Sequence, residues 1–232
     1  MTDTSMNTVD MIRAHLFSMR DAEYADFTAS LMPTVDRARV IGVRTPELRK
    51  YAKSLSFEEA ALFMRSLPHE YYEENNLHAF LIDRIRDFDG AVAEVGRLLP
   101  YVDNWATCDY MRPRIFKQHT DRLFPYVQKW IVSEHTYTKR YALGMLCSYY
   151  LDLAFSPTHL EMAAEVVSDE YYVNMMVAWY FATALAKQRD FTLPYFTERI
   201  LREPVFSMAR RKCFDSFRIS REDKELLLNI SK

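Results

Sequence analysis

The chain has 232 residues, 49% of them hydrophobic and 27% charged, enough for one large domain or two small ones around a sizeable core. Its net charge of −2 and isoelectric point near 6.3 argue against the overall basic surface usual in nucleic-acid-binding domains. The four glycines, Gly42, Gly90, Gly96 and Gly144, are too few for nucleotide-binding glycine-rich loops or many tight β-hairpins, and no run of about eighteen apolar residues is present to span a membrane.

The opening stretch MTDTSMNTVDMIRAHLFSMRD carries acids early and lacks the apolar segment of a secretory signal, so no such signal is expected. From residue 9 onward, apolar residues recur every three or four positions, the helical period. Residues 9–19 predict a first helix, with Val9, Ile12, Leu16 and Phe17 on one side. Residues 21–31 predict a second, carrying Tyr24, Phe27 and Leu31 and ended by Pro33. Residues 34–43 form a connector that contains Gly42. Thr45-Pro46-Glu47 reads as a helix start, with Thr45 as N-cap and Pro46 at the first helical position, running to about residue 55. Ser56 and Glu59 form a capping box for the next helix, which stops before Pro68. Residues 71–87 predict a long helix with Leu77, Phe80, Leu81 and Ile85, and Asp89 caps one ending near residue 99. Residues 105–109 predict a short helix, and Pro113 begins another. Thr120 caps a helix reaching residue 131, Thr136 or Thr138 one that runs through Arg140 to residue 150, and Pro157 starts the helix of Leu160, Ala163 and Val167. Residues 169–187 predict the longest apolar helix, with Met175, Met176, Trp179 and Phe181. Helices near 191–201, 207–217 and 220–230 complete the chain, the last opened by Ser220 and Asp223.

About fifteen short helices joined by connections of two to six residues predict an all-α fold. The expected architecture is an α-solenoid of HEAT-like repeats, one domain over 1–232, curved with a concave cleft, rather than a four-helix bundle. One interval supports a repeat: Trp105 and Arg140 are 35 residues apart, and Arg140 and Trp179 are 39 apart, close to one helix pair of such arrays. Cys108, Cys147 and Cys213 are odd in number and widely spaced with no CxxC, which predicts reduced thiols in a cytoplasm rather than disulfides or a zinc site. The six histidines show no ligand spacing.

The chemistry concentrates around Asn104-Trp105-Ala106-Thr107-Cys108-Asp109. Trp105 and Asp109 are four apart and share one helix face. From Arg112 to Arg140 there are seven Lys/Arg against Asp121 and Glu134, a local excess of positive charge in an acidic chain. An indole, a carboxylate and a cationic surround suit a polyanion that carries a positive centre. Arg210, Arg211 and Lys212 sit at the start of the predicted 207–217 helix, where cations and backbone N–H groups suit a second phosphate contact.

Ile41-Gly42-Val43-Arg44-Thr45-Pro46-Glu47-Leu48-Arg49, Asn104-Trp105-x-x-x-Asp109, Thr138-Lys139-Arg140 and Val177-Ala178-Trp179 stand in an order and spacing that resembles the DNA alkylation repair family of HEAT-like-repeat DNA glycosylases. The resemblance covers most of the chain. It implies that Trp105, Asp109, Arg140 and Trp179 line a cleft over the DNA backbone, and that the activity is excision of cationic alkylated purines such as 3-methyladenine and 7-methylguanine. It also implies action without drawing the base into a pocket. The implied roles are catalytic for Asp109 and Trp105 and DNA-contacting for Trp179, Arg140, Arg210, Arg211 and Lys212. No metal or cofactor is required, double-stranded DNA is the partner through its phosphates, and a cytoplasmic monomer without membrane attachment is expected.

Each of these residues also has a plainer reading. Trp105 and Trp179 can be packing between repeats, Asp109 a cap for the helix begun by Pro113, Arg140 and the 210–212 run solvated helix faces. The tyrosine pairs 71–72, 149–150 and 171–172 read as packing with the hydroxyls outward. Three features favour the alternative of a catalytically silent DNA-binding or protein-interaction scaffold on the same frame. The chain is acidic overall. Asn104 stands where a further aromatic would widen the stacking surface. Pro33 cuts short a segment, Leu31-Met32-Pro33-Thr34-Val35-Asp36, that resembles a DNA-gripping helix in active members.

Overall fold

The computed structural model describes residues 3–230. It is 71% helical, with 14 α-helices and no strand among the described residues, an all-α fold consistent with a helical-repeat solenoid. The chain divides into two compact units, the first ending at Gln118 and the second beginning at His119.

The first unit contains α1 (Asp3–Ser18), α2 (Ala22–Ser30), α3 (Thr45–Ser54), α4 (Phe57–Arg65), α5 (Tyr72–Ile82), α6 (Phe88–Leu98) and α7 (Trp105–Tyr110). Local chemistry sets most of the boundaries. Asp21 accepts from the Tyr24 N–H at 3.0 Å and opens α2, and Ser56 and Glu59 exchange both bonds of the expected capping box at 3.1 and 2.8 Å. Two expected starts move. Arg44, not Thr45, holds the cap position of α3, and the Thr45 hydroxyl pairs with the Tyr110 hydroxyl at 3.2 Å instead. The long 71–87 helix breaks after Ile82, because Asp87 takes the Gly90 N–H at 2.6 Å and opens α6, the role expected of Asp89. The connector before α3 includes a 3₁₀ turn, Arg37–Arg39, capped by Asp36.

Helix α5 is packed by α3, α4, α6 and α7, and all 11 of its residues are buried, including Glu73, Glu74, Asn76 and His78. Burying four such groups costs stability unless each finds a partner. Glu73 accepts backbone N–H bonds from Ile41, Gly42 and Val43 at 2.9, 2.7 and 3.3 Å. Gly42 has φ 95°, and a Cβ there would lie 2.1 Å from the Asp21 carbonyl oxygen, so only glycine lets this strand of chain lie between α2 and Glu73. Burial pushes the Glu73 carboxyl up, against the pull of the three amides. Glu74 receives Arg13 Nε at 2.8 Å and caps its own helix through the Glu70 and Tyr71 N–H groups. His78 joins His69 at 2.9 Å on one side and Glu94 at 3.0 Å on the other, while the His69 ring stacks on Phe63 at 4.5 Å.

The second unit contains α8 (Thr120–Ile131), α9 (Thr136–Tyr149), α10 (Pro157–Ala164), α11 (Tyr171–Lys187), α12 (Arg189–Thr197), α13 (Val205–Asp215) and α14 (Arg221–Asn229). Helices α9, α11 and α13 pack in succession, and α8, α10, α12 and α14 pack against members of that row. The starts of α9, α11 and α13 recur at 35 and 34 residues, the period of one helix pair. Val173, Met176, Val177, Tyr180, Phe181 and Ala184 make α11 the apolar centre, each 0–1% exposed. One cap here differs from expectation: His135 Nδ1, not a threonine, accepts the Thr138 N–H at 3.3 Å; Ser220 opens α14 as expected, accepting from the Asp223 N–H at 3.0 Å.

Two outcomes test the buried polar frame. Glu73→Ala leaves three interior N–H groups without their acceptor and is expected to lower unfolding free energy by at least about 3 kcal/mol in urea titration. Burial lowers the His69 pKa to about 3. The unfolded chain takes up that proton near pH 6.5 and the folded chain does not, so stability falls with pH below about 6.5, by up to about 1.4 kcal/mol per unit. Urea midpoints from pH 7 to pH 4.5 should show this fall, and His69→Gln should flatten it.

Candidate nucleic-acid interface

In the first unit the site residues sit on α7. Asn104 is 0% exposed and serves as the N-cap of α7, accepting from the Thr107 N–H at 2.8 Å and donating to the Thr107 hydroxyl at 3.0 Å. The Thr107 hydroxyl in turn donates to Asn76 of α5 at 2.6 Å. Asn104 therefore faces inward, and the absence of an aromatic there removes nothing from the surface. Trp105 is partly buried against Met32, Val35, Val40 and Tyr72. Its indole N–H donates to the Leu31 carbonyl at 3.0 Å. The segment shortened by Pro33 is thus the one that seats the tryptophan: α2 stops at Ser30, Met32 turns into the core at 1% exposure, and the freed Leu31 carbonyl meets the indole. Asp109, one turn after Trp105, is also partly exposed. The neighbouring 3₁₀ turn Arg114–Gln118, which Pro113 precedes, is held through Asp83, which accepts the Arg114 N–H at 2.9 Å.

In the second unit, Trp179 is 39% exposed on α11 and is not a core residue. Two adjoining depressions run along the seam of α11 with α13. One, of about 160 Å³, is bounded by Trp179, Thr183, Lys212, Asp215, Ser216 and Arg218. The other, of about 450 Å³, is bounded by Tyr171, Met175, Met208, Arg211, Lys212 and Asp215. Trp179 and Lys212 thus border the smaller depression, and Arg211 and Lys212 the larger.

Two expectations change. Arg210–Lys212 do not begin a helix: α13 starts at Val205, so their N–H groups lie inside the helix and only the side chains can meet a ligand. Arg210 itself turns away from the seam, donating to the Leu228 carbonyl of α14 at 3.2 Å with its guanidinium 5.7 Å from the Phe214 ring. Arg140 is 4% exposed, and its Nη1 donates to the Tyr172 carbonyl at 2.7 Å, at the start of α11. That bond places the guanidinium against the main chain that carries Tyr171 and Trp179, rather than out in solvent. Burial raises the Tyr172 hydroxyl pKa, and the Arg140 charge pulls the other way.

Sequence reasoning missed Tyr171, Met175 and Arg218. The signal was present for the first two: Tyr171, Met175 and Trp179 are spaced by four, one face of one helix. Arg218 lies beyond the end of α13 and only the turn brings it to Trp179. Among the described residues, no three His, Cys, Asp or Glu side chains come together to hold a metal ion, and no helix is long and apolar enough to cross a membrane.

Paired helices at a 34–35-residue period, an indole beside a carboxylate and an aromatic groove edged with cations define a helical-repeat protein suited to a polyanionic ligand. The model of the family described as DNA alkylation repair enzyme matches residues 12–208, and the chain belongs to that family. Its role is in DNA repair, with DNA as the substrate. No curated protein matches the chain.

The contrast between buried and surface arginines is measurable. Arg140→Ala should lower unfolding free energy by about 2–4 kcal/mol, through lost packing and an orphaned carbonyl. Arg211→Ala should stay within about 0.5 kcal/mol of the native value by the same urea titration.

Proposed function

We propose that the protein is a DNA glycosylase that excises cationic alkylated purines, 3-methyladenine and 7-methylguanine among them. The observation that carries this reading is the presentation of Trp105 and Asp109 one turn apart on α7, both partly accessible, with the indole held at the Leu31 carbonyl. A purine alkylated at N3 or N7 bears a formal positive charge. The bond from C1′ to the base nitrogen breaks with its electron pair going to the base, which leaves neutral without a proton from the protein. The sugar is left as an oxocarbenium-like cation. The Asp109 carboxylate stabilises that charge and orients the water that attacks C1′. Trp105 offers a ring face to the cationic nucleotide or its sugar, worth roughly 0.5–2 kcal/mol, and Trp179, in the second unit, offers one to the bound DNA. Arg211 and Lys212 contact phosphates, and Arg140 acts as a positioning residue for α11. Double-stranded DNA is bound through its backbone, by a monomer, without metal or cofactor.

Asp109→Asn is expected to lower release of 3-methyladenine or 7-methylguanine from methylated duplex DNA by at least about 100-fold while the circular-dichroism melt stays close to the native one. Release at the native rate by that variant would exclude Asp109 as the catalytic group. The second reading, a catalytically silent scaffold, rests on the net charge of −2; it predicts no base release by the native protein in the same assay.

A further inference from the structure

The larger depression along α11 and α13 holds more than phosphate contacts need. It is lined by the side chains of Met175 and Met208, by Tyr171 at 54% exposure, and by Arg211, Lys212 and Asp215. A volume of about 450 Å³ lies within the range of about 300–1,000 Å³ common to small-ligand sites. The charge pattern points to an anion. Three cations of the second unit meet acids: Lys187 with Asp152 at 2.7 Å, Arg189 with Asp223 at 2.7 Å and Arg221 with Glu225 at 2.9 Å. Arg211, Lys212 and Arg218 form no ion pair among the described residues, although Asp215 shares their surface. An exposed ring and apolar side chains beside uncompensated cations are the combination that holds single-stranded nucleic acid, a base on the ring and phosphates on the cations. Bases inside a paired duplex are stacked on one another and cannot present a face to a protein wall; a nucleotide out of the stack can.

We propose that this depression takes one unpaired nucleotide of the bound DNA. The base lies over Tyr171 and against Met175 and Met208, and its phosphate meets Arg211 and Lys212. Asp215 accepts an N–H from the base edge. Tyr171 and Trp179 are eight residues apart on α11, about 12 Å along its axis. Arg218, beside Trp179, therefore holds a phosphate further along the same strand. The smaller depression and the larger one become consecutive parts of a single track. The proposal rests on the reading of Trp179, Arg211 and Lys212 as DNA contacts and does not depend on base excision.

The test uses the full chain and two fluorescent duplexes of one sequence, one fully paired and one with a single-nucleotide bulge, titrated by anisotropy over a salt series. The native protein is expected to prefer the bulged duplex at least about fivefold, the low end for one base stacked on an aromatic ring. Tyr171→Ala should remove that preference and Tyr171→Phe should keep it, since the ring and not the hydroxyl does the stacking. Arg218→Gln should lower the slope of log K against log salt by about one. Equal affinity of the native protein for the two duplexes, or a bulge preference that survives in Tyr171→Ala, overturns the proposal. The two readings fail separately: bulge preference without base release leaves this site standing and removes the glycosylase, and base release without bulge preference does the reverse.

Discussion

A helix that buries its polar side is the constraint on which the first unit depends. Glu73, Glu74, Asn76 and His78 lie inside the protein, and each is tied to a different element: the 41–43 segment, Arg13 of α1, Thr107 of α7, and His69 with Glu94 of α6. In a low-dielectric interior such groups stabilise one arrangement strongly and penalise every other, because an unmet donor or acceptor there costs more than a met one contributes. Apolar packing would hold helices together without choosing among neighbouring registers. These bonds choose. Gly42 belongs to the same constraint, since Glu73 can collect three successive N–H groups only if the chain bends through a left-handed residue pressed against the Asp21 carbonyl.

The candidate site inherits its geometry from that frame. The route runs from Asn76 to the Thr107 hydroxyl, from Thr107 to the buried cap Asn104, and from the cap to the first turn of α7, where Trp105 stands. The indole is then fixed at its other end by the Leu31 carbonyl. A ring held at both its backbone and its nitrogen loses little further freedom when it meets a ligand, which favours binding by preorganisation. The second unit works differently. There the long apolar helix α11 supplies a rigid base, the buried Arg140 fastens its start through Tyr172, and Tyr171 and Trp179 stand on its exposed face. The acidic total of the chain still leaves cations on this seam: Arg211, Lys212 and Arg218 form no ion pair among the described residues, while Asp152, Asp223 and Glu225 are each paired with a cation away from it.

Much of the helical frame was legible from residues whose meaning is local. Ser56 with Glu59, and Ser220, cap where their types and spacing indicate, since an N-cap bond reaches only two or three residues along the chain. Thr45 and Asp89 misled: the Thr45 hydroxyl is met by Tyr110, far along the chain, and Asp87, two residues before Asp89, takes the Gly90 N–H that opens α6. Arg210, Arg211 and Lys212 are adjacent in sequence, yet Arg210 turns to α14 while Arg211 and Lys212 border the α11–α13 seam. Only the placement of α14 and α11 shows which one turns to α14 and which two line the depression.

The amino-acid order alone determined that this protein is all helical, that its helices recur in pairs at a period of about 35 residues, and that an indole and a carboxylate share one face of a short helix. Those properties follow from periodicity and capping, which act within a turn or two. The tertiary structure decided what each of those residues meets: that Asn104 and Arg140 are interior, that Trp179 is on the surface, and that Tyr171, Met175 and Arg218 join it along one seam. Burial depends on which helices pack against which, and that is settled by contacts between residues tens of positions apart, beyond the range over which a local pattern carries information.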